Sequence, residues 1–331
     1  MRLTLLATIV LLAVACSSEP EATATPTATA EPTAAPTVEP APAAPTVHLD
    51  PTFEVQVTEA VVYGKALVHG EWGATGTAVD LTLDVYEPID DGDAPHPAII
   101  VIHGGGFRSN HSQTGSFPGI SEYFASRGWV AVSINYRLSQ EHGTFPADWP
   151  EGRGAVYTAT RDASAAVRWL RDRADHYDID TERITALGAS AGAIVALALG
   201  SADEGDYRDE ITIGEDWTLA TTRLHQSSRV ATVIDLWGSL SALTPLEVLD
   251  GESRINEGDA AVLIIHGTED SVVPFASGVE VRRAMAEAGV PVELVALEGI
   301  GHSKFAALAN ERPQNDVTFD FIVEHQGLEV R

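Results

Sequence analysis

The sequence predicts an α/β fold, the α/β class with a mostly parallel central sheet, an antiparallel N-terminal hairpin and helices on both faces. Three observations predict it. The early part of the body alternates apolar and polar residues, the later part holds short and almost unbroken apolar runs, and segments of helical periodicity stand between those runs. Alternation with period two marks strands with one exposed face. Continuous Val/Ile/Leu runs mark strands covered on both faces, as in parallel sheets. Repeated strand–helix units wind such a sheet with helices on either side.

Taken in order, residues 53–63 and 79–86 alternate and are read as the opening hairpin. Buried strands are predicted over 98–102, 129–134, 183–187, 230–236 and 261–265, with Val292–Leu297 after them. Helices are predicted over 154–177, 191–199, 275–288 and 303–324. In the first of these, Ala163, Ala166, Val167 and Leu170 recur at helical spacing. No internal repeat interrupts the pattern. The span 51–331 is about the size of one such domain, so it is not divided.

The chain before this body reads as an address and a tether. Met1-Arg2 precedes an apolar run over 3–15 that is broken only by Thr4 and Thr8. That is too short for a bilayer core of about 30 Å, which takes roughly 20 residues, and it suits the apolar region of a secretory signal. Leu12-Ala13-Val14-Ala15-Cys16 is similar to the bacterial lipobox, in which small residues precede a lipidated Cys; Ala13 stands where Leu is usual. Cys16 is the only cysteine in the sequence, so no intramolecular disulfide can form. Residues 17–46 are almost wholly Ala, Pro, Thr and Glu and have nothing to bury, which predicts a semi-rigid disordered spacer. The expected organisation is a signal peptide over 1–15, a spacer over 16–50 and a folded domain over 51–331. Stable anchoring would need several acyl chains on Cys16, because one alone binds a membrane only marginally.

Charge limits the partners. Twenty Lys+Arg against 48 Asp+Glu give a formal net charge of −28, and only Lys65 and Lys304 are lysines. Nucleic acid would need a basic patch to displace phosphate counterions, and anionic membrane surfaces repel the same charge. No nucleic-acid partner is expected, and membrane contact only through a lipid anchor. The acidic, Lys-poor composition fits a high-salt or extracellular setting, and a biased genome would give the same numbers.

Four motifs fall at four predicted strand ends. Gly188-Ala189-Ser190-Ala191-Gly192 joins a strand directly to a helix, a turn that tolerates only small neighbours and exposes the serine. By itself the pattern would also suit a serine helix cap. His103-Gly104-Gly105-Gly106-Phe107 closes the strand over 98–102. Three glycines let backbone N–H groups turn toward one point, as an oxyanion requires. A phosphate cradle is disfavoured because no P-loop pattern is present. His266-Gly267-Thr268-Glu269-Asp270 follows the strand over 261–265, and Gly301-His302 follows Val292–Leu297. A serine nucleophile needs a base and a carboxylate that fixes the base's tautomer, and the chain order Ser, Asp, His supplies both. Asp235, which also ends a buried strand, and Glu269 compete for the acid role. Asp162, on a helix with Arg168 nearby, is read as a structural ion-pair partner. The remaining histidines carry no ligand spacing, so no metal and no cofactor is read.

On these motifs the chain resembles the α/β-hydrolase superfamily, and within it the hormone-sensitive-lipase-like and feruloyl-esterase-like bacterial carboxylesterases. The resemblance runs from about Tyr86 to His302 and includes Asn135-Tyr136-Arg137, Phe145-Pro146-Ala147 and Val167-Arg168-Trp169-Leu170-Arg171. Ala193 stands where the family usually has a second glycine after Ser-Ala-Gly. The resemblance implies Ser190 as nucleophile, His302 as general base and acid, and Asp270 as orienting carboxylate. It implies the N–H groups of Gly105, Gly106 and Ala191 as oxyanion donors. The implied activity is hydrolysis of small or soluble carboxylic esters outside the cytoplasm, with acetyl or feruloyl groups on polysaccharide among the candidates. The alternatives are a serine peptidase of prolyl-oligopeptidase type and a catalytically silent surface-binding protein on the same fold.

Overall fold

The computed structural model describes residues 44–68, 76–89, 92, 95–141, 153–243, 246–247 and 250–331. The predicted signal, Cys16 and most of the spacer lie outside the described residues, as does Phe145-Pro146-Ala147.

The two alternating stretches become β2 (Val55–Val68) and β3 (Thr77–Pro88), paired antiparallel, after a short β1 (Thr46–Val47). The apolar runs become β4 (His96–Ile102), β5 (Val130–Ile134), β6 (Ile179–Ala189), β7 (Thr232–Leu236), β8 (Ala261–Gly267) and β9 (Val292–Leu297). They form one eight-stranded sheet in the order β2-β3-β5-β4-β6-β7-β8-β9, parallel from β5 through β9. Every residue of β4, β5, β7 and β8 is buried, which is why these strands read as unbroken apolar runs.

The pleat divides each run between two layers. Ala98, Ile100 and Ile102 pack with α2 (Arg153–Asp172) and α4 (Ala191–Ser201), α3 being the short Ala174–Tyr177. Val281 and Met285 of α5 (Phe275–Glu287) join the same layer. Ile99 and Val101 face the opposite layer, with Phe117, Ile120 and Phe124 of α1 (Phe117–Ala125) and Phe319 and Ile322 of α6 (Gln314–Gln326). The sheet thus carries helices on both faces.

Two expectations need correction. The folded body begins before Pro51: β1 pairs in parallel with β12 (Glu329–Val330), and Val47 is fully buried. The pair joins the two ends of the body, a long-range contact that local periodicity does not reveal. The helix expected over 303–324 is only α6. A small hairpin of β10 (Leu308–Ala309) and β11 (Arg312–Pro313) occupies the preceding stretch. Asn310 and Glu311 take positive φ there, and Pro313 pushes the residue before it out of the helical region.

Candidate active site

Between the last residue of β6 and the first of α4 stands one residue, Ser190. The turn is possible only because Ser190 adopts φ +54° and ψ −116°, a conformation that costs a non-glycine residue about 1–3 kcal/mol. Its N–H donates to Leu236 O at 2.9 Å, tying the turn to β7. The helix then passes close to the end of β4: a Cβ on Gly192 would lie 2.1 Å from Ile102 O. The small residues of the motif are therefore a packing requirement.

The hydroxyl of Ser190 donates to His302 Nε2 at 3.0 Å, and His302 Nδ1–H donates to Asp270 Oδ2 at 2.6 Å. Asp270 is buried in the loop after β8, and its Oδ1 accepts the N–H groups of Val272 (2.8 Å) and Val273 (2.9 Å). Burial alone pushes this carboxyl up. The hydrogen bonds from His302 and the two amides outweigh it and hold the group below its usual range. An ionised carboxylate in this position fixes the tautomer that leaves Nε2 free to accept the serine proton.

The two competing acids lie apart from this line. Glu269 is exposed. Asp235 is fully buried at the end of β7; its Oδ1 accepts Gly238 N–H at 2.6 Å, and its Oδ2 has no partner among the described residues. Burial pushes its carboxyl up to about 7.

The glycine loop is held from below. His103 is buried and stacks on Tyr136, with centroids 4.2 Å apart and planes 15° off parallel. Tyr136 Oη–H donates to His103 O at 2.9 Å, and His103 Nδ1–H donates to Gly104 O at 2.8 Å. Burial lowers His103 to about 4, so the ring is neutral at physiological pH. Gly105 takes φ +110°, and a Cβ there would lie 2.3 Å from Ser109 O. The N–H groups of Gly105, Gly106 and Ala191 donate to no backbone carbonyl among the described residues. Gly105, Gly106, Ser190, Val272, His302 and Phe305 all line one cavity of about 430 Å³.

The Asn135-Tyr136-Arg137 segment anchors this loop to the rest of the fold. Arg137 donates to both carboxylate oxygens of Asp162, 2.7 Å from Nη2 to Oδ1 and 3.0 Å from Nε to Oδ2. Asp162 is thus an ion-pair partner as expected, but of Arg137. Arg168 instead donates to Thr222 O at 2.8 Å.

Sequence reasoning brought Ser190, Asp270 and His302 together and missed several of their neighbours. His266 Nε2–H donates to Val273 O at 2.9 Å and lies 3.6 Å from Asp270 Oδ2, so it braces the loop that carries the acid. Trp237 stands 6.1 Å from His302, centroid to centroid, and Phe305 stands 5.0 Å from Trp237. His266 was visible as part of its motif. The aromatic pair carried no local signal, since it meets His302 only through the fold.

Comparison with known proteins adds to this geometry. The family described as BD-FAE matches residues 83–248, just over half of the chain, which takes in the glycine loop and Ser190. Esterase LipC of Mycobacterium tuberculosis is 26% identical over 238 residues, covering 66% of this chain; the chain spans only 56% of that relative's length. A propionate-bound esterase, Est2, from Thermogutta terrifontis superposes with a TM-score of 0.59 at 27% identity, over 83% of this chain and 94% of that one. A truncated carbohydrate esterase from gut microbiota shares the fold, with a TM-score of 0.59 at 22% identity over 85% of this chain and 99% of that one.

Proposed function

The chain belongs to the BD-FAE family, and from that premise we propose that it is a carboxylic ester hydrolase working through an acyl-enzyme on Ser190. The observation that carries the reading is the unbroken hydrogen-bond line from Ser190 Oγ through His302 to Asp270. Similarity to esterases over most of the chain supports it.

In the first half-reaction Ser190 Oγ bonds to the ester carbonyl carbon and its proton passes to His302 Nε2. The carbonyl oxygen takes the negative charge and is held by the N–H groups of Gly105, Gly106 and Ala191. Loss of one such donor typically costs about 3–4 kcal/mol of transition-state stabilisation. His302 then gives its proton to the leaving alkoxide, and the C–O bond to the alcohol breaks. In the second half-reaction His302 takes a proton from water, the hydroxide bonds to the acyl carbon, and the proton returns to Ser190 as the acid leaves. Asp270 stays ionised throughout and stabilises the imidazolium.

Small or soluble esters are the proposed substrates, with acetyl and feruloyl groups on polysaccharide the first to test. The proposed location is outside the cytoplasm, with the protein anchored through lipid on Cys16; metabolic labelling with a fatty-acid probe should mark the wild type and spare Cys16→Ser. For the activity itself, Ser190→Ala should lower turnover of p-nitrophenyl acetate by about 10⁶-fold. Near-wild-type hydrolysis by that variant would overturn the proposal.

A further inference from the structure

A second cavity, of about 580 Å³, adjoins the catalytic one: Ser116, Ser303 and Phe305 stand in the walls of both. The rest of its wall is drawn from residues 299–307, the loop that carries His302. The chain has 48 acids, yet among the described residues no Asp or Glu lines either cavity. Lys304 is the one residue on these walls with a permanent charge. The other lysine, Lys65, is paired with Asp80. Lys304 is exposed and has no carboxylate within ion-pair distance among the described residues.

The main chain beneath Lys304 is fixed. Ser303 takes φ +58°, and Lys304 O accepts the N–H of Ala307 at 3.0 Å and the Nε2–H of Gln314 at 2.8 Å. Gln314 is buried at the start of α6 and gives its second amide proton to Ala307 O at 2.9 Å. The acid that precedes the loop, Glu298, accepts from Thr268 Oγ1 at 3.4 Å. The ammonium therefore stands on its flexible four-carbon stem above a rigid base, two residues past the catalytic histidine.

The chemistry decides which part of an ester lies here. His302 gives its proton to the leaving oxygen, so the alcohol must place that oxygen against Nε2 while the carbonyl oxygen turns toward Gly105 and Gly106. The loop of His302 thus borders the alcohol, not the acyl group. We propose that this cavity takes the alcohol portion of the substrate and that Lys304 selects alcohols bearing a carboxylate, as in an acyl group esterified to an acidic sugar. The proposal rests on the acyl-enzyme reading above. The net charge of −28 opposes an anionic ligand only at long range. Charges farther off than about 8 Å are largely screened at physiological ionic strength, which leaves the acid-free walls and Lys304 to set the preference.

The test compares kcat/KM for 4-acetoxybenzoate, whose leaving group carries a carboxylate, with that for neutral 4-acetoxybenzamide. The ratio within one variant cancels any effect on folding or on the triad. Comparing that ratio between variants cancels the intrinsic reactivity of the two esters. Lys304→Met should lower the ratio about fivefold, the upper end for a solvent-exposed ion pair, and Lys304→Glu about twenty-fivefold. Lys304→Arg should keep it. For the wild type, 1 M NaCl, which cuts the screening length to about 3 Å, should bring the ratio down to that of Lys304→Met. p-Nitrophenyl hemisuccinate carries its carboxylate on the acyl side, and its turnover relative to p-nitrophenyl acetate should shift by less than about twofold in Lys304→Met. A ratio unmoved by Lys304→Met and Lys304→Glu, or a larger effect on the hemisuccinate, overturns the proposal and leaves the esterase reading intact. Hydrolysis of 4-acetoxybenzamide that survives Ser190→Ala overturns the esterase reading instead.

Discussion

Asp270 follows the buried strand β8 and Asp235 lies near the end of β7, and the hydrogen bonds each receives set their chemistry apart. Asp270 accepts three and is held ionised; Asp235 accepts one and is pushed up to about 7 by burial. Asp270→Asn should keep the fold and lower kcat on p-nitrophenyl acetate by about 10³–10⁴-fold, because an amide cannot hold the tautomer that accepts the serine proton. Asp235→Asn should act on stability. In the fold Asp235 keeps its proton to about pH 7, whereas the unfolded chain releases it near 3.8. The wild type therefore loses stability as pH rises through that window, with a ceiling of about 4 kcal/mol at roughly 1.4 kcal/mol per tenfold change in proton affinity. Thermal melts should show Asp235→Asn gaining at pH 8 and not at pH 3; equal gains at both would contradict the account. Asp270 was legible in its spacing from His266. The charge state of Asp235 was not, because it depends on what surrounds the strand end in space.

The turn around Ser190 shows how elements position the chemistry. One residue joins β6 to α4, and α4 touches β4 so closely that Gly192→Ala would drive a methyl group into a backbone carbonyl. The expected cost is about 3 kcal/mol or more, read as a lower denaturant midpoint with loss of turnover in parallel. The G-x-S-x-G pattern was legible because this geometry admits so few residue types. The buried strands were legible because covering both faces leaves apolar residues at every position. The helix over 303–324 was misread: apolar spacing continued across a segment that Pro313 and the positive-φ pair Asn310 and Glu311 turn into a hairpin. Gln314 and Phe305, on either side of that hairpin, became visible as cavity walls only once the segment was seen to fold back.

At the scale of the whole molecule, the ends of the body are tied together. β1 lies beside β12, Arg331 N–H donates to Val47 O at 2.9 Å, and Val47 is fully buried. Burying a valine is worth about 1.5–3 kcal/mol. A chain that begins at Pro51 should therefore melt about 5 °C below one that begins at Ala43, by differential scanning calorimetry. Equal melting temperatures would show that β1 contributes nothing to the fold. The formal charge of −28 was legible from composition. The pairing of chain ends was not, because it joins residues nearly the whole body apart. The central claim is that Ser190 is the nucleophile on which acyl groups are carried. Its most direct test is reaction with a fluorophosphonate probe, with the adduct mapped by mass spectrometry while ester hydrolysis is followed. The account expects one adduct per chain, on Ser190, with hydrolysis lost in step with labelling. An adduct elsewhere, or hydrolysis that persists after complete labelling of Ser190, would contradict it.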